Sequence, residues 1–407
     1  MAETPQAQAY GASGLDFSDK MVVIVGGILA AMALSVLNPV LPSIDKALSH
    51  SPADSSLVRQ LFGFTSLAMA VGAPLGAWAS KQFGMRRLLI VASLIYAIAG
   101  TAGLYLNTLP LLLVSRLAVG ACAAAIQVMS LTLINTKCEG NDRAKWMGLH
   151  VSFATFITLL ISPLSGFLGK ISWHLPFAEY AVSLALFAVL IASPRDNEGA
   201  DARAEAAAPG AQKDSILSWF PWHYFPLSLL LGTMTFMPTA YGPFLLAEKA
   251  HFGPGAIGLV LMGGALMGAT LSSQYGRARR SLSAYQAFAV SFTLAGTGAL
   301  TAALTSNVPL LIAGLLTHGI GVSWFVPNIM TALGAKLTSA RQARAAGLVK
   351  TAHFLSAPLC IYLKDSLLGN SGASTAMLTV AVIAFAMLAL MLFRMLTVGK
   401  PLAVATE

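Results

Sequence analysis

Charge is scarce in this chain of 407 residues: Asp, Glu, Lys and Arg together make up 10% of it, against roughly a quarter of an ordinary soluble domain. So few charges cannot cover a water-facing surface of this size, and a hydrophobic content of 56% names lipid as the solvent. Acids are scarcer than bases, 16 against 25, which leaves a net charge of +9. The bases stand in short clusters between apolar runs, a pattern that orients a chain in a bilayer and does not suit nucleic-acid binding. Three cysteines, Cys122, Cys138 and Cys360, show no C-x-x-C spacing, so neither a disulfide framework nor a zinc site is implied. The apolar stretches contain no paired carboxylates, metal-ligand cluster or nucleophile–base spacing, which argues against an enzyme and against any cofactor. A G-x-x-x-x-G-K-[ST] loop is missing too, so ATP is not a direct energy source. Long polar runs are reduced to a single one, PRDNEGADARAEAAAPGAQKDS at 194–215.

What is abundant is apolar sequence in spans of about 20 residues, the length that crosses a bilayer. Helices are predicted at 21–44, 57–80, 88–106, 109–136, 146–169 and 175–193. Six more follow at 219–249, 255–275, 282–305, 308–336, 345–366 and 373–395. The first is too long for a cleaved signal peptide. Residues 72–87, GAPLGAWASKQFGMRR, recur as GALMGATLSSQYGRAR 192 positions later, with eight of sixteen positions identical. Pro110-Leu-Leu to Gly120 likewise matches Pro309-Leu-Leu to Gly319, and Gly148-Leu149 matches Gly347-Leu348. The chain is therefore an internal duplication. Residues 1–193 and 219–407 are expected to form two six-helix bundles, joined by a linker at 194–218.

Placing both termini and the linker in the cytoplasm puts 18 of the 25 Lys and Arg residues inside and five outside (Lys46, Arg59, Lys170, Lys249 and Lys364). Arg116 and Lys350 fall within spans. That bias obeys the positive-inside rule.

Twelve helices in two halves, with basic hinges after the second and eighth, resemble the major facilitator superfamily. The hinge motif of that family, G-x-L-a-D-r-x-G-r-k, is matched at Gly84, Arg86 and Arg87, and again at Gly276, Arg277 and Arg279. These residues are expected to gate, glycine for the turn and the cations for the anionic inner leaflet. The family's Asp, three residues before the glycine, is replaced by Lys81 in one half and Ser273 in the other, so its inter-half latch must be built differently. Arg116 and Gly120 match the fourth-helix motif R-x-x-x-G, which the family's drug/proton antiporters tie to proton coupling. The segment LNPVLPSI at 37–44 also resembles the family, with Asn38 where many antiporters carry an acid. Only Pro163 and Gly166 represent the fifth-helix antiporter signature. The resemblance implies an all-α integral membrane protein, twelve transmembrane helices in two pseudo-symmetric six-helix bundles.

Each polar group within the spans has two readings. Arg116 either serves substrate and proton, with Gly120, Ala123 and Gln127 on its face, or binds backbone carbonyls and fixes packing. Lys350 either faces the interior or snorkels to the headgroups. His318 and His150 titrate, or are satisfied by neighbours. Asp45 and Glu248, at the ends of the pseudo-equivalent first and seventh helices, are an outer gate or ordinary interfacial charges. Glu179 and Glu248 are the acids to test for proton coupling. Met234 and Met237, on a face with Tyr241, suit an adaptable organic contact better than a metal. Tyr241, His353 and the Trp324–Asn328 pair are candidate substrate contacts, the last pair also readable as packing.

Together these residues predict a secondary transporter working by alternating access, as a monomer in a bacterial inner membrane, most simply exporting a small organic molecule against protons. Interior cations outnumber interior acids, which favours an anionic or amphipathic solute. Uptake of an organic anion such as a siderophore or carboxylate is the alternative direction, and a non-transporting sensor or scaffold the alternative class.

Overall fold

The computed structural model describes residues 15–193, 215–334, 337–369 and 371–397. Among them are twelve helical spans long and apolar enough to cross a membrane: α1 Phe17–Leu48, α2 Pro52–Phe83, α3 Met85–Leu104, α4 Leu109–Lys137, α5 Gly140–Ile171, α6 Leu175–Ala192, α7 Tyr224–Ala250, α8 Pro254–Ser281, α9 Ala284–Leu304, α10 Val308–Leu333, α11 Arg344–Leu367 and α12 Ala373–Thr397. The molecule is an all-helical, multi-pass membrane protein. Residues 194–214 of the expected linker, and both chain ends, lie outside the described residues. The linker's last residues are not all extended: Ile216–Trp219 form a helical turn, and α7 starts at Tyr224, not at 219.

Several helices run past the windows that hydropathy marks. The α2 helix covers 32 residues because its polar entry is capped, Ser51 accepting from the Asp54 N–H, so the helix continues where apolar sequence stops. Two spans are broken inside the membrane. In α1 a helix ends at Ser35, a 3-10 turn occupies Asn38–Val40, and Leu41–Leu48 resumes. Pro39 and Pro42 remove the N–H groups that would have carried the helix through. In α10 the break falls between Val322 and Phe325, just ahead of Pro327.

Packing groups α1–α6 and α7–α12, with α2 against α4 and α1 against α5 in the first group and α9 against α10 and α12 in the second. The two groups meet along α2–α11 and α5–α8. Glycine sets the spacing between α2 and α4: Gly72 and Gly76 lie so close to Ala121 and Ala125 that a methyl group would stand 2.7–2.8 Å from them.

The repeat does not give two identical hinges. Gly84 has φ +85° and ends α2, a conformation that glycine alone adopts cheaply. Gly276 does not turn the chain. It lies inside α8, which runs on to Ser281, and the turn falls at Leu282–Ser283, where Ser283 and Gln286 form a capping box. The face carrying these turns is called the hinge face below, and the other the far face.

Candidate functional site

Two buried charges of opposite sign meet near the far face. Asp365 of α11 accepts from Arg59 of α2 through Nε at 3.2 Å and Nη2 at 2.9 Å. It also accepts from the Ser56 hydroxyl at 2.6 Å and the Tyr241 hydroxyl of α7 at 2.6 Å, with the Lys364 ammonium 3.3 Å away. The paired side chains are only 8% and 11% exposed. A carboxylate shared by α2, α7 and α11 holds the two halves together, and its lone pairs are satisfied, as a buried charge requires. The Arg59 guanidinium also lies 5.2 Å from the centre of the Tyr241 ring.

The seal continues toward the middle of the membrane. The Gln60 amide donates to the Pro358 carbonyl at 3.1 Å, and the Ser66 hydroxyl to the Phe354 carbonyl at 2.9 Å. The latter acceptor exists because Pro358 has no N–H to return to the carbonyl four residues earlier. Phe62 packs edge-on to Phe236 at 5.6 Å. On the other flank Gly258 of α8 lies against the Ser162 carbonyl of α5, and Gly169 against Val40 and Pro254. These inter-half contacts cluster between the far face and the middle of the membrane.

Toward the hinge face the halves diverge. Gly148 and Gly347, pseudo-equivalent positions on α5 and α11, have nothing within 4 Å of where a methyl group would sit. A cavity of about 240 Å³ opens there, lined by Gln127 of α4 together with residues of α7, α10 and α11. Its wall is mostly aromatic and aliphatic, with Phe236, Phe325, Ile329, Met330 and Phe354, and its polar members are Gln127, Ser228, Lys350 and His353. The His353 ring stands 4.8 Å from that of Phe236, which in turn stacks on Phe354 at 6.0 Å. Such a cavity, apolar with a few convergent polar groups, is the usual form of a small-molecule site.

Of the residues expected to touch substrate, Gln127 and His353 line this cavity. The others lie elsewhere. Arg116 is fully buried inside the first group of helices. Its guanidinium donates to the carbonyls of Ala99 at 2.9 Å and Gly100 at 3.1 Å, where the α-helical part of α3 gives way to a 3-10 turn at Thr101–Leu104. It also lies over the rings of Phe177 and Tyr180, at 5.3 and 4.9 Å. The packing reading of Arg116 is the one this geometry matches. Trp324 and Asn328 are turned into helix contacts: the indole donates to the Leu271 carbonyl at 2.9 Å, and the amide bonds the Ala284 carbonyl and the Tyr275 hydroxyl. Tyr241 belongs to the far-face seal. Asn38 is buried in the 3-10 turn of α1, which packs on α5, α7 and α8.

Among the groups expected to carry a proton, Glu179 accepts from the Ser165 hydroxyl at 2.9 Å through one oxygen, while its other oxygen is buried without a hydrogen-bond partner. His318 is buried between the carbonyls of Ala295 at 2.9 Å and Met234 at 3.0 Å. Met234 has a free carbonyl because Pro238 follows it by four. Glu248 is exposed at the far-face rim, where it and Asp45 line a small pocket with Arg59 and Lys364. Asp45 itself accepts from Ser49 at 2.6 Å. Among the gating candidates, Arg86 donates to the Leu190 and Ser193 carbonyls at 2.5 and 2.6 Å, capping α6 of its own half. Arg87 is exposed on the first turn of α3. Arg277 bonds Gln274, and Arg279 the Leu282 carbonyl. Lys81 is exposed, and the Ser273 hydroxyl bonds back to Thr270 in its own helix.

Sequence reading passed over the Arg59–Asp365 pair, whose members are 306 residues apart, and treated Lys350 as open between two roles. The signal available for the pair was an arginine and an aspartate within otherwise apolar helix ends.

Known proteins agree with this architecture. The chain is 29% identical over 171 residues to the class C tetracycline resistance protein of Escherichia coli, covering 40% of this chain and 42% of that protein. It is 27% identical over 199 residues to the bacillibactin exporter of Bacillus subtilis (strain 168), covering 46% and 49%. The match thus spans less than half the length of these relatives. The fold is similar to the partially occluded, inward open xylose transporter XylE from E. coli, with a TM-score of 0.70 at 15% identity over 95% of this chain and 99% of that one. The family model of the Major Facilitator Superfamily matches residues 23–286, and with twelve spans, a central cleft and a repeated hinge, the chain belongs to that superfamily.

Proposed function

We propose that this protein is a secondary transporter that exports a small organic solute in exchange for protons. It works as a monomer in a bacterial inner membrane, with its hinge face and both termini in the cytoplasm. The observation that carries this reading is the asymmetry of the cleft, closed at the far face by Arg59 and Asp365 and open at the hinge face. That is the arrangement of a loading state in alternating access, in which bundles 1–193 and 219–407 rock about a site near the midplane. Relatives that include a tetracycline resistance protein and a bacillibactin exporter favour export. Glu179 and His318 are the groups inside the bundles through which protons are coupled, while Asp45 and Glu248 work at the far-face rim. Gly84, Arg86 and Arg87 at the α2–α3 turn, and Gly276, Arg277 and Arg279 near the end of α8, anchor the face that opens.

The test is flux in liposomes carrying the purified protein. An imposed pH gradient should drive tetracycline, the solute in a relative's name, toward the acidic side, and added solute should shift luminal pH. A protein that moves no solute under a gradient is a scaffold or sensor. One whose solute travels with the protons is a symporter, and the export reading fails.

A further inference from the structure

Among the described residues that line the cavity, Lys350 alone carries a formal charge, and it is an exposed residue. Among the described residues no carboxylate forms an ion pair with Lys350. The ion pairs described there are Arg59–Asp365, Lys364–Asp365 and Lys137–Asp19, all on other helix ends. An ammonium group within a membrane span is costly when unpaired, and the cavity that Lys350 lines is walled by the rings of Phe236, Phe325 and Phe354. The polar neighbours, the Gln127 amide and the His353 ring, add hydrogen-bonding capacity without a negative charge.

We infer that Lys350 is the charge-recognition residue of the cavity and that its partner is the solute: a small organic monoanion with a flat aromatic body, of the aromatic carboxylate class. The ammonium supplies the ion pair, and Phe236, Phe325 and Phe354 supply the wall for the ring. A volume of about 240 Å³ lies just below the roughly 300–1,000 Å³ of drug-sized sites, which suits a compact ligand. This rests on the reading of the cavity as the solute site, and it goes further by naming the charge and the residue that selects it.

The experiment uses the full chain in nanodiscs of phosphatidylcholine and measures binding of 2-naphthoate, its neutral analogue 2-naphthylmethanol and the cation 2-naphthylmethylammonium. The expected order is naphthoate tightest, the alcohol about 10- to 100-fold weaker, as for the loss of one charged hydrogen bond, and the cation weakest. Lys350→Met should remove the preference for naphthoate while leaving alcohol binding near wild type, and Lys350→Arg should keep it. Equal binding of the three compounds, no naphthoate binding, or an unchanged preference in Lys350→Met overturns the inference. So does loss of naphthoate binding when phosphatidylglycerol is added, if that lipid sensitivity vanishes in Lys350→Met, because the partner is then a lipid headgroup. Tetracycline flux through the unsubstituted protein separates the two proposals. Flux together with equal binding of the three compounds sinks only this inference, whereas a preference for naphthoate without any flux sinks only the transport reading.

Discussion

Proline removes a backbone N–H, and at two places in this fold the carbonyl so freed is taken by a side chain of another helix. Pro358 leaves Phe354 to Ser66, and Pro238 leaves Met234 to His318. Membrane helices tolerate proline on this condition. His318 goes further, because its second nitrogen also faces a carbonyl, that of Ala295. A neutral imidazole has one N–H, so only the protonated ring donates to both. Arg116 follows the same logic where α3 changes from α-helix to 3-10 turn, and Arg116→Ala would take a charged donor from the Ala99 and Gly100 carbonyls. The expected cost is about 1–3 kcal/mol of stability, read as a lower melting temperature, with naphthoate affinity unchanged in the folded fraction. A wild-type melting temperature would show that Arg116 holds nothing. The charge of Arg116 was visible in the sequence. Its direction was not, because the carbonyls it meets lie on another helix, at the point where α3 passes from α-helix to 3-10 turn.

At the scale of helices, duplication predicts equivalence and packing breaks it. Gly72, Gly76 and Gly120 weld α2 to α4, whereas a methyl group added at their pseudo-equivalents Gly264, Gly268 and Gly319 would have its nearest neighbours at 3.7–4.0 Å. A second cavity of about 190 Å³ lies between α7, α8 and α10. Gly76→Ala should therefore lower the melting temperature, since the added methyl overpacks Ala125 at a typical cost of about 1–3 kcal/mol. Gly268→Ala should be neutral or stabilising, by up to about 1 kcal/mol from helix propensity. The hinges divide the same way: Gly84→Ala strains a φ of +85°, a penalty of order 1–3 kcal/mol, while Gly276→Ala in mid-helix strains nothing. Equal effects within either pair would restore the symmetry that the repeat suggests. Helix existence was legible because twenty apolar residues in a row admit one explanation. Helix ends and the second hinge were not, because α8 carries Gly276 within its helix and the chain turns only where the Ser283–Gln286 capping box starts α9.

At the scale of the whole molecule, the far-face seal and the hinge-face cavity make one conformational state, and the Arg59–Asp365 pair is the contact expected to hold it. Asp365→Asn keeps the shape and removes the carboxylate that pairs with the buried Arg59, a loss of about 3–5 kcal/mol for breaking a buried pair, enough to repopulate a two-state equilibrium. Spin labels at Ala53→Cys and Leu368→Cys, with Cys122, Cys138 and Cys360 replaced, should show longer far-face distances in the Asp365→Asn background. An unchanged distribution would mean that the apolar contacts alone keep that face shut. The sequence by itself determined the solvent, the number of spans, the duplication and the class of fold, because hydropathy, repeat and charge bias are properties of the chain read in one dimension. Only the tertiary structure decided that Arg59 reaches Asp365, that Arg116 is spent on backbone carbonyls of its own half, and that Lys350 lines a cavity with no acid among its described lining residues. Those pairings depend on which helix faces meet, and a charge within an apolar helix carries no mark of the partner it will find.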